Sequence, residues 1–429
     1  MALFKKASVF ILLFILGLFL NKQYHKYEPI FTYHSSLWAD RSGYYVYLPA
    51  VFVYDLDVNQ MPDSIEYRVG YGFWRENGKI FTKYPIGVSY FEAPFYAYAT
   101  TLDKINKDAI NEGFSFRQHE SVLWSGLFWG LVGVFILYEL LRCYARKGIA
   151  LFACASIVLG TNLLYYMLLE SGMSHVYSFL LFTTLLLLIK KWKDSSYQSF
   201  KYVIGLAICL GLIIAVRQIN VIFAGILLLA FETNSFAELK ERTLASFKPK
   251  VIAAMVLIPF VILLPQIGFY YYLFGKPYMY SYKNEGFDNW ANPQIKELLF
   301  APLNGLFSYN PVLLIPAIAM GAMVVVKAPN RWAYIIVLLL VMYSYASWYC
   351  WYLGCGYGSR GFTDFMAIFA LLLTWALVKI DNWKSVSSIF YLLIVLMVFI
   401  NLRLIWNYDF CYFGKGFWDW EYYRSLLNL

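Results

Sequence analysis

The sequence predicts an all-α polytopic membrane protein of about eleven transmembrane helices, N-terminus inside and C-terminus outside, with interfacial helices in a long first outer loop. Three observations carry that expectation. Only 14% of the 429 residues are charged and 61% are hydrophobic, and the mean hydropathy is +0.56; soluble and disordered chains both carry more charge. Apolar runs close to the roughly 20 residues that one crossing requires recur along the chain. The cations are also sorted by side: about half of the 35 Lys and Arg fall in the short connections of one face, as the positive-inside bias demands. The net charge of +9 therefore belongs to membrane orientation and does not imply nucleic acid.

The first run, near 4–20, follows Lys5 and Lys6 like the core of a signal peptide, but "NKQYHKYE" stands where a small-residue cleavage site would. It reads as an uncleaved first span. Further runs lie near 121–141, 149–168, 176–192, 202–216, 220–232, 251–272, 311–326, 332–349, 361–380 and 386–404. The run 220–232 is short and follows its predecessor after "RQIN", which suggests a re-entrant or strongly tilted helix. Inner connections then hold clusters such as Lys190, Lys191 and Lys193, whereas the short outer ones hold only Arg217 and Arg360. The chain reads as one domain, 1–429, with outer loops at 21–120 and 273–310.

Within 21–120, "VYLPAVFVY" (46–54) and "IGVSYFEAPFYAYATTL" (86–102) are apolar but too short, or too broken by Pro94, to span. They are expected in the interface. The polar, turn-rich stretch between them is expected in water. None of the six cysteines has a metal spacing; Cys350, Cys355 and Cys411 all fall outside, where a disulfide among them is open.

Ionisable groups near spans are costly and so mark candidate sites. Here they collect at the outer ends: Asp40 and Arg41 before "GYYVYLPA", Lys83 before "YPIG", Glu170 and His175 around "ESGMSH", Arg217 after the fifth span, and Arg360 in "GYGSRGFTDF". That layout suits an anionic, lipid-borne substrate at the outer surface. Plainer roles are open to each. Glu170 can cap a turn, His175 can be a satisfied polar residue at a helix start, and Arg217 can anchor to headgroups. Arg360 and Asp364, four apart, can pair on a helix. Arg41 suits a headgroup or loop contact.

The order of these groups, with "DRSGYYVYLPAVF", "KYPIGVSYFEAPF", "ESGMSHVYSFLLF", "RQINVIFAGILL", "LNGLFSYNPVLLI" and "YGSRGFTDFMAIFALL" spread over most of the chain, resembles the integral-membrane glycosyltransferases of the type C fold. Within them it looks like bacterial relatives of the protein-O-mannosyltransferase and aminoarabinose-transferase group. The resemblance implies transfer of a sugar from a polyprenyl-phosphate carrier to a lipid, glycan or protein acceptor. The expected location is the bacterial inner membrane, with the site facing the periplasm. By that resemblance Asp40 is the catalytic base and Glu170 assists or positions the acceptor; Lys83, Arg217 and Arg360 hold the lipid phosphate. His175 belongs to a family-like Ser-His-x-Tyr pattern, and Tyr44, Tyr45 and Tyr47 are placed to stack on a sugar face or to anchor in the interface. No cofactor is expected: Arg41 follows Asp40 where many relatives carry a second acid or an aromatic, which puts a divalent metal in doubt. A transporter or flippase, or a polymerase or ligase acting on lipid-linked saccharides, is the alternative.

Overall fold

The structure is a computed structural model that describes residues 2–24, 30–106, 112–408 and 419–427. After α1 (Ala2–Tyr24) comes a folded layer, named the outer layer after the orientation expected from the sequence: α2 (Asp40–Tyr45), α3 (Tyr47–Phe52), α4 (Ile65–Arg68), the hairpin β1 (Trp74–Glu76) and β2 (Lys79–Phe81), and α5 (Gly87–Asn106). The bundle continues through α6 (Phe116–Arg142), α7 (Lys147–Gly160), α8 (Asn162–Leu168), α9 (Ser174–Asp194), α10 (Phe200–Val216), α11 (Asn220–Ala230), α12 (Phe236–Ser246) and α13 (Pro249–Phe274). It closes with α14 (Ile295–Phe300), α15 (Leu306–Tyr309), α16 (Leu314–Val325), α17 (Arg331–Ser347), α18 (Met366–Ile380), α19 (Lys384–Asn407) and α20 (Trp420–Leu427).

Every apolar run picked out in the sequence is helical, but the runs are not equal. Among the described residues six helices are long and apolar enough to cross a membrane, or seven if the bent pair α7–α8 is one span. The helices α10, α11, α16 and α17 have 11 to 17 residues, about 17–26 Å of rise against a bilayer core of about 30 Å. The centre of the bundle is α9 and α18: 89% of the span leading into α18 is buried, against 6% for α1. Around α9 pack α6 and α10, and α10 in turn packs on α13.

Two expectations for the outer layer change. Pro94 does not break α5, which runs straight through it for 20 residues. The stretch between the two apolar segments is not simply solvated. It builds a core of its own from Val58, Met61, Ile65, Val69, Phe73 and Ile80, joined by Leu37, Tyr45 and Phe114. Its hairpin turns at Asn77–Gly78, both with positive φ, the pairing that a two-residue hairpin favours.

The third span is broken. Helices α7 and α8 meet at Thr161 with a bend of 68°. A break at membrane depth strands backbone groups, which is tolerated only where protein satisfies them. Two asparagine side chains do so. Asn310 Oδ1 accepts the Asn162 N–H (2.6 Å), and Asn401 Nδ2 donates to the carbonyls of Leu159 (2.9 Å) and Thr161 (3.2 Å). The Asn162 amide in turn donates to the Tyr357 carbonyl at 3.3 Å. The bend aims α8 at the turn that carries Glu170. Among the cysteines, Cys355 is disulfide-bonded and Cys350 is free; Cys411 lies outside the described residues.

Candidate active site

Asp40 opens α2, and the backbone that delivers it is strained. Ala39 has φ 48° and ψ −124°, a region that an L-residue occupies only when its surroundings hold it there. The hold is a set of hydrogen bonds: Ala39 N–H to the Val69 carbonyl (2.8 Å), and Ser42 Oγ to the carbonyls of Ala39 (2.8 Å) and Val69 (3.2 Å). Gly72 lies against this turn so closely that a Cβ there would stand 1.9 Å from the Ala39 oxygen. The outer layer thus clamps Asp40 from below.

The carboxylate is gripped on both oxygens. Tyr84 donates its O–H to Oδ1 (2.5 Å), and Arg360 donates Nη2 to Oδ2 (2.9 Å). Burial alone pushes the Asp40 pKa up, but the Arg360 charge, the Tyr84 hydrogen bond and nearby Lys83 outweigh it, so its pKa falls below the ordinary value. The side chain is still 31% exposed. It faces an open cavity of about 480 Å³ lined also by Lys83, Tyr84, Trp74, Tyr282, Lys283 and Glu285. Lys83 is neutralised across this cleft by Glu285 of the second outer loop, and its ammonium lies 5.6 Å and 5.5 Å from the ring centres of Tyr84 and Tyr282.

Glu170, in the turn after α8, is 2% exposed. Burial raises its pKa to about 7, with Arg41 and Arg360 pulling the other way and Asp40 adding to the rise. Tyr165 O–H is 3.4 Å from Oε1. Two carboxyls in one electrostatic neighbourhood are therefore driven apart, Asp40 towards the anion and Glu170 towards the acid. Arg41 is buried, and donates to the carbonyls of Tyr33 (2.9 Å) and Trp38 (3.3 Å). It is a loop contact, and not a headgroup contact.

Arg360 and Asp364 do not pair with each other. They lie on a 3₁₀ helix, Arg360–Phe365, whose three residues per turn put positions four apart about 120° from one another. Arg360 consequently reaches Asp40. Asp364, fully buried, faces the other way: it lies 2.8 Å from His175 Nδ1, accepts from Asn220 Nδ2 at 2.9 Å, and pairs with Arg217 at 3.7 Å. Arg217 ends α10 in extended conformation, 3.2 Å from His175 Nδ1 and over the Tyr345 ring at 5.8 Å. Within the span, His175 is 1% exposed.

Among the aromatic candidates, Tyr44 lies beside the cleft, with its ring 4.5 Å from that of Tyr84 and its O–H on Ser174 Oγ at 3.1 Å. Tyr45 does not. It points into the outer-layer core, bonds the Gly113 carbonyl at 2.6 Å and packs on Tyr96 and Phe114, because neighbours on so short a helix face different ways. Asp40, Glu170, Lys83, Tyr44, His175, Arg217 and Arg360 are thus gathered at one end of the bundle, and Tyr45 is left out. Sequence reasoning missed Tyr84, Tyr282, Glu285 and Asn220 as members, and the plain alternative of an Arg360–Asp364 pair does not hold. Tyr84 adjoins Lys83 in "KYPIG" and was within reach; Tyr282 and Glu285 carry no signal, since only the fold brings their loop over the cleft.

No known family model matches the sequence, and no curated protein matches it by sequence. Solved structures do resemble it. ArnT from Cupriavidus metallidurans in the apo state aligns with a TM-score of 0.53 and 10% identity, over 90% of this chain and 62% of that one. The oligosaccharyltransferase AglB from Archaeoglobus fulgidus, with an inhibitory peptide and a dolichol-phosphate, aligns with a TM-score of 0.52 and 13% identity, over 94% of this chain and 56% of that one. The chain thus spans less than two thirds of either neighbour. Both are type C glycosyltransferases. At such identities it is the path of the helices that is shared, over nine tenths of this chain, and this protein has the integral-membrane fold of the type C glycosyltransferases, with ArnT among its structural relatives.

Proposed function

We propose that the protein transfers a sugar from a polyprenyl-phosphate carrier to an acceptor hydroxyl at the outer face of a bacterial inner membrane, with inversion at the anomeric carbon. The observation that carries this reading is the Asp40 carboxylate, held ionised at the wall of an open cleft among Arg360, Tyr84 and Lys83. The neighbours support the donor class: one is a lipid-linked sugar transferase, and the other is described with a dolichol-phosphate. A further structure of the A. fulgidus enzyme carries a tethered acceptor peptide, so the acceptor here can be peptide, lipid or glycan.

Asp40 takes the proton of the acceptor hydroxyl as its oxygen attacks the anomeric carbon. The bond from that carbon to the phosphate oxygen breaks, and its electron pair leaves with the phosphate. Base catalysis of this kind is worth about 10²–10⁴-fold. The growing phosphate charge is met by Arg360, Arg217 and Lys83. All three are paired with carboxylates before substrate arrives, and this gives Arg360 a double part: moving towards the phosphate, it releases Asp40 and makes it more basic. Glu170 in its acid form donates a hydrogen bond beside the acceptor.

The test is transfer of radiolabelled sugar by purified protein, from a panel of polyprenyl-phosphate sugars into envelope acceptors, with wild type beside Asp40→Asn. The expected result is transfer from one donor by the wild type and a loss of about 10²–10⁴-fold in the variant. A folded Asp40→Asn protein working at the wild-type rate overturns the base assignment. Lipid binding without transfer by either protein, with acceptors supplied, favours a transporter.

A further inference from the structure

A second cavity lies at the opposite end of the bundle. It has a volume of about 240 Å³ and sits among α9, α10, α11, α12 and α13, with walls that include Val203, Leu206, Leu228, Val251 and Met255. Helix α10 connects it to the cleft. From Val203 to Arg217 the rise is about 21 Å at 1.5 Å per residue, so this cavity belongs to the other membrane surface and takes no part in sugar transfer.

Its walls are apolar, and three donors near it are buried with no partner among the described residues: Trp192 Nε1, Ser246 Oγ and Arg242 Nη2. Trp192 and Ser246 line the cavity. Arg242, one turn before Ser246 on α12, donates Nη1 to the carbonyl of the wall residue Leu228 at 3.1 Å. It is 0% exposed, and among the described residues it has no carboxylate partner: its other contacts are the Tyr197 hydroxyl and the Phe231 carbonyl. A buried guanidinium without a counter-charge is costly, and these donors stay behind the apolar walls.

The mouth of the cavity is cationic. Lys201, Lys248 and Lys250 are exposed beside the cavity, and among the described residues none of them is paired with a carboxylate. Phe236, Leu239 and Phe247 are exposed at helical spacing along α12 and just past its end, the apolar stripe of a helix lying in an interface. Phe247 itself lines the cavity, so the mouth opens at headgroup level.

We propose that this cavity binds an anionic phospholipid of the adjoining leaflet. One acyl chain occupies the apolar walls. The phosphate stays at the mouth, held by the exposed Lys248 and Lys250. The proposal does not depend on the transferase reading.

Thermal unfolding of the full-length chain in detergent, titrated with phosphatidylglycerol or phosphatidylcholine, tests it, alongside native mass spectrometry of retained lipid. Phosphatidylglycerol is expected to raise the Tm saturably and to be retained at one per chain. Its affinity should fall about fivefold for each of Lys248→Gln and Lys250→Gln. Leu206→Trp, which fills the cavity without changing charge, should abolish retention; Val251→Phe serves if that variant does not fold. Equal stabilisation by phosphatidylcholine overturns the anion requirement, and undiminished retention in the filled variant overturns the cavity. No sugar donor is present, so failure here leaves the transfer reaction untouched.

Discussion

Asp40 and Arg360 restrain each other, and that restraint is testable residue by residue. A carboxylate whose folded pKa is depressed stabilises the native state above its unfolded pKa, and loses that contribution as pH falls through the folded value. Removing Arg360 takes away the largest influence that lowers the Asp40 pKa. Arg360→Ala is therefore expected to move the acidic limb of the pH–rate profile to higher pH, and to raise KM for the donor more than tenfold; a profile that does not move separates the two residues. Glu170 has the opposite sign. Its pKa is raised to about 7, so its stabilising contribution is greatest at low pH and fades as pH rises through about 7. Activity should decline through the same range if the acid form is the working one. In Glu170→Gln that limb should vanish from the rate profile, and the variant should gain stability relative to wild type above pH 7, measured by thermal unfolding. Much of this site was legible in the sequence, because costly charges beside apolar runs need a reason. Their pairing was not. Arg360 and Asp364 look like partners at an α-helical spacing, and only the 3₁₀ turn separates them.

At the scale of elements, the site rests on places where regular structure stops. Asp40 follows a strained Ala39, Glu170 follows a broken span, Arg217 follows the last residue of α10, and Arg360 begins the 3₁₀ turn. Helix ends suit this purpose, since side chains there converge from several directions while packed helices hold the backbone. The clamp on Ala39 gives the sharpest test. Gly72→Ala places a Cβ 1.9 Å from a backbone oxygen and is expected to cost about 1–3 kcal/mol of stability. It should also depress transfer, because relief of the clash moves Asp40. Gly148→Ala, where a Cβ meets nothing within 4 Å, is the control and should unfold like wild type. The asparagines that satisfy the bend at Thr161 were invisible in advance, since Asn310 and Asn401 are far from it in sequence and reach it only in the bundle.

For the whole molecule, the positive-inside reading places the Asp40 cleft outside and the α12 cavity inside. Gln60, exposed in the outer layer, reports on this: a cysteine there should react with a membrane-impermeant maleimide added to intact cells. Reaction only after the inner membrane is permeabilised would reverse the orientation, and with it the side on which sugar transfer takes place.

The amino-acid order by itself determined that this is a helical membrane protein, where its apolar segments lie, and which end of the bundle collects charge. These follow from local quantities: hydropathy over one span, and the cost of a charge near lipid. The tertiary structure alone decided which cation answers which acid, that Tyr45 serves the outer-layer core while Tyr84 serves the site, that Glu285 closes over Lys83, and that four apolar helices stay shorter than a bilayer. Those outcomes depend on contacts between residues as much as 320 positions apart, the separation of Arg360 from Asp40. No local pattern encodes a distance that exists only once the helices have packed.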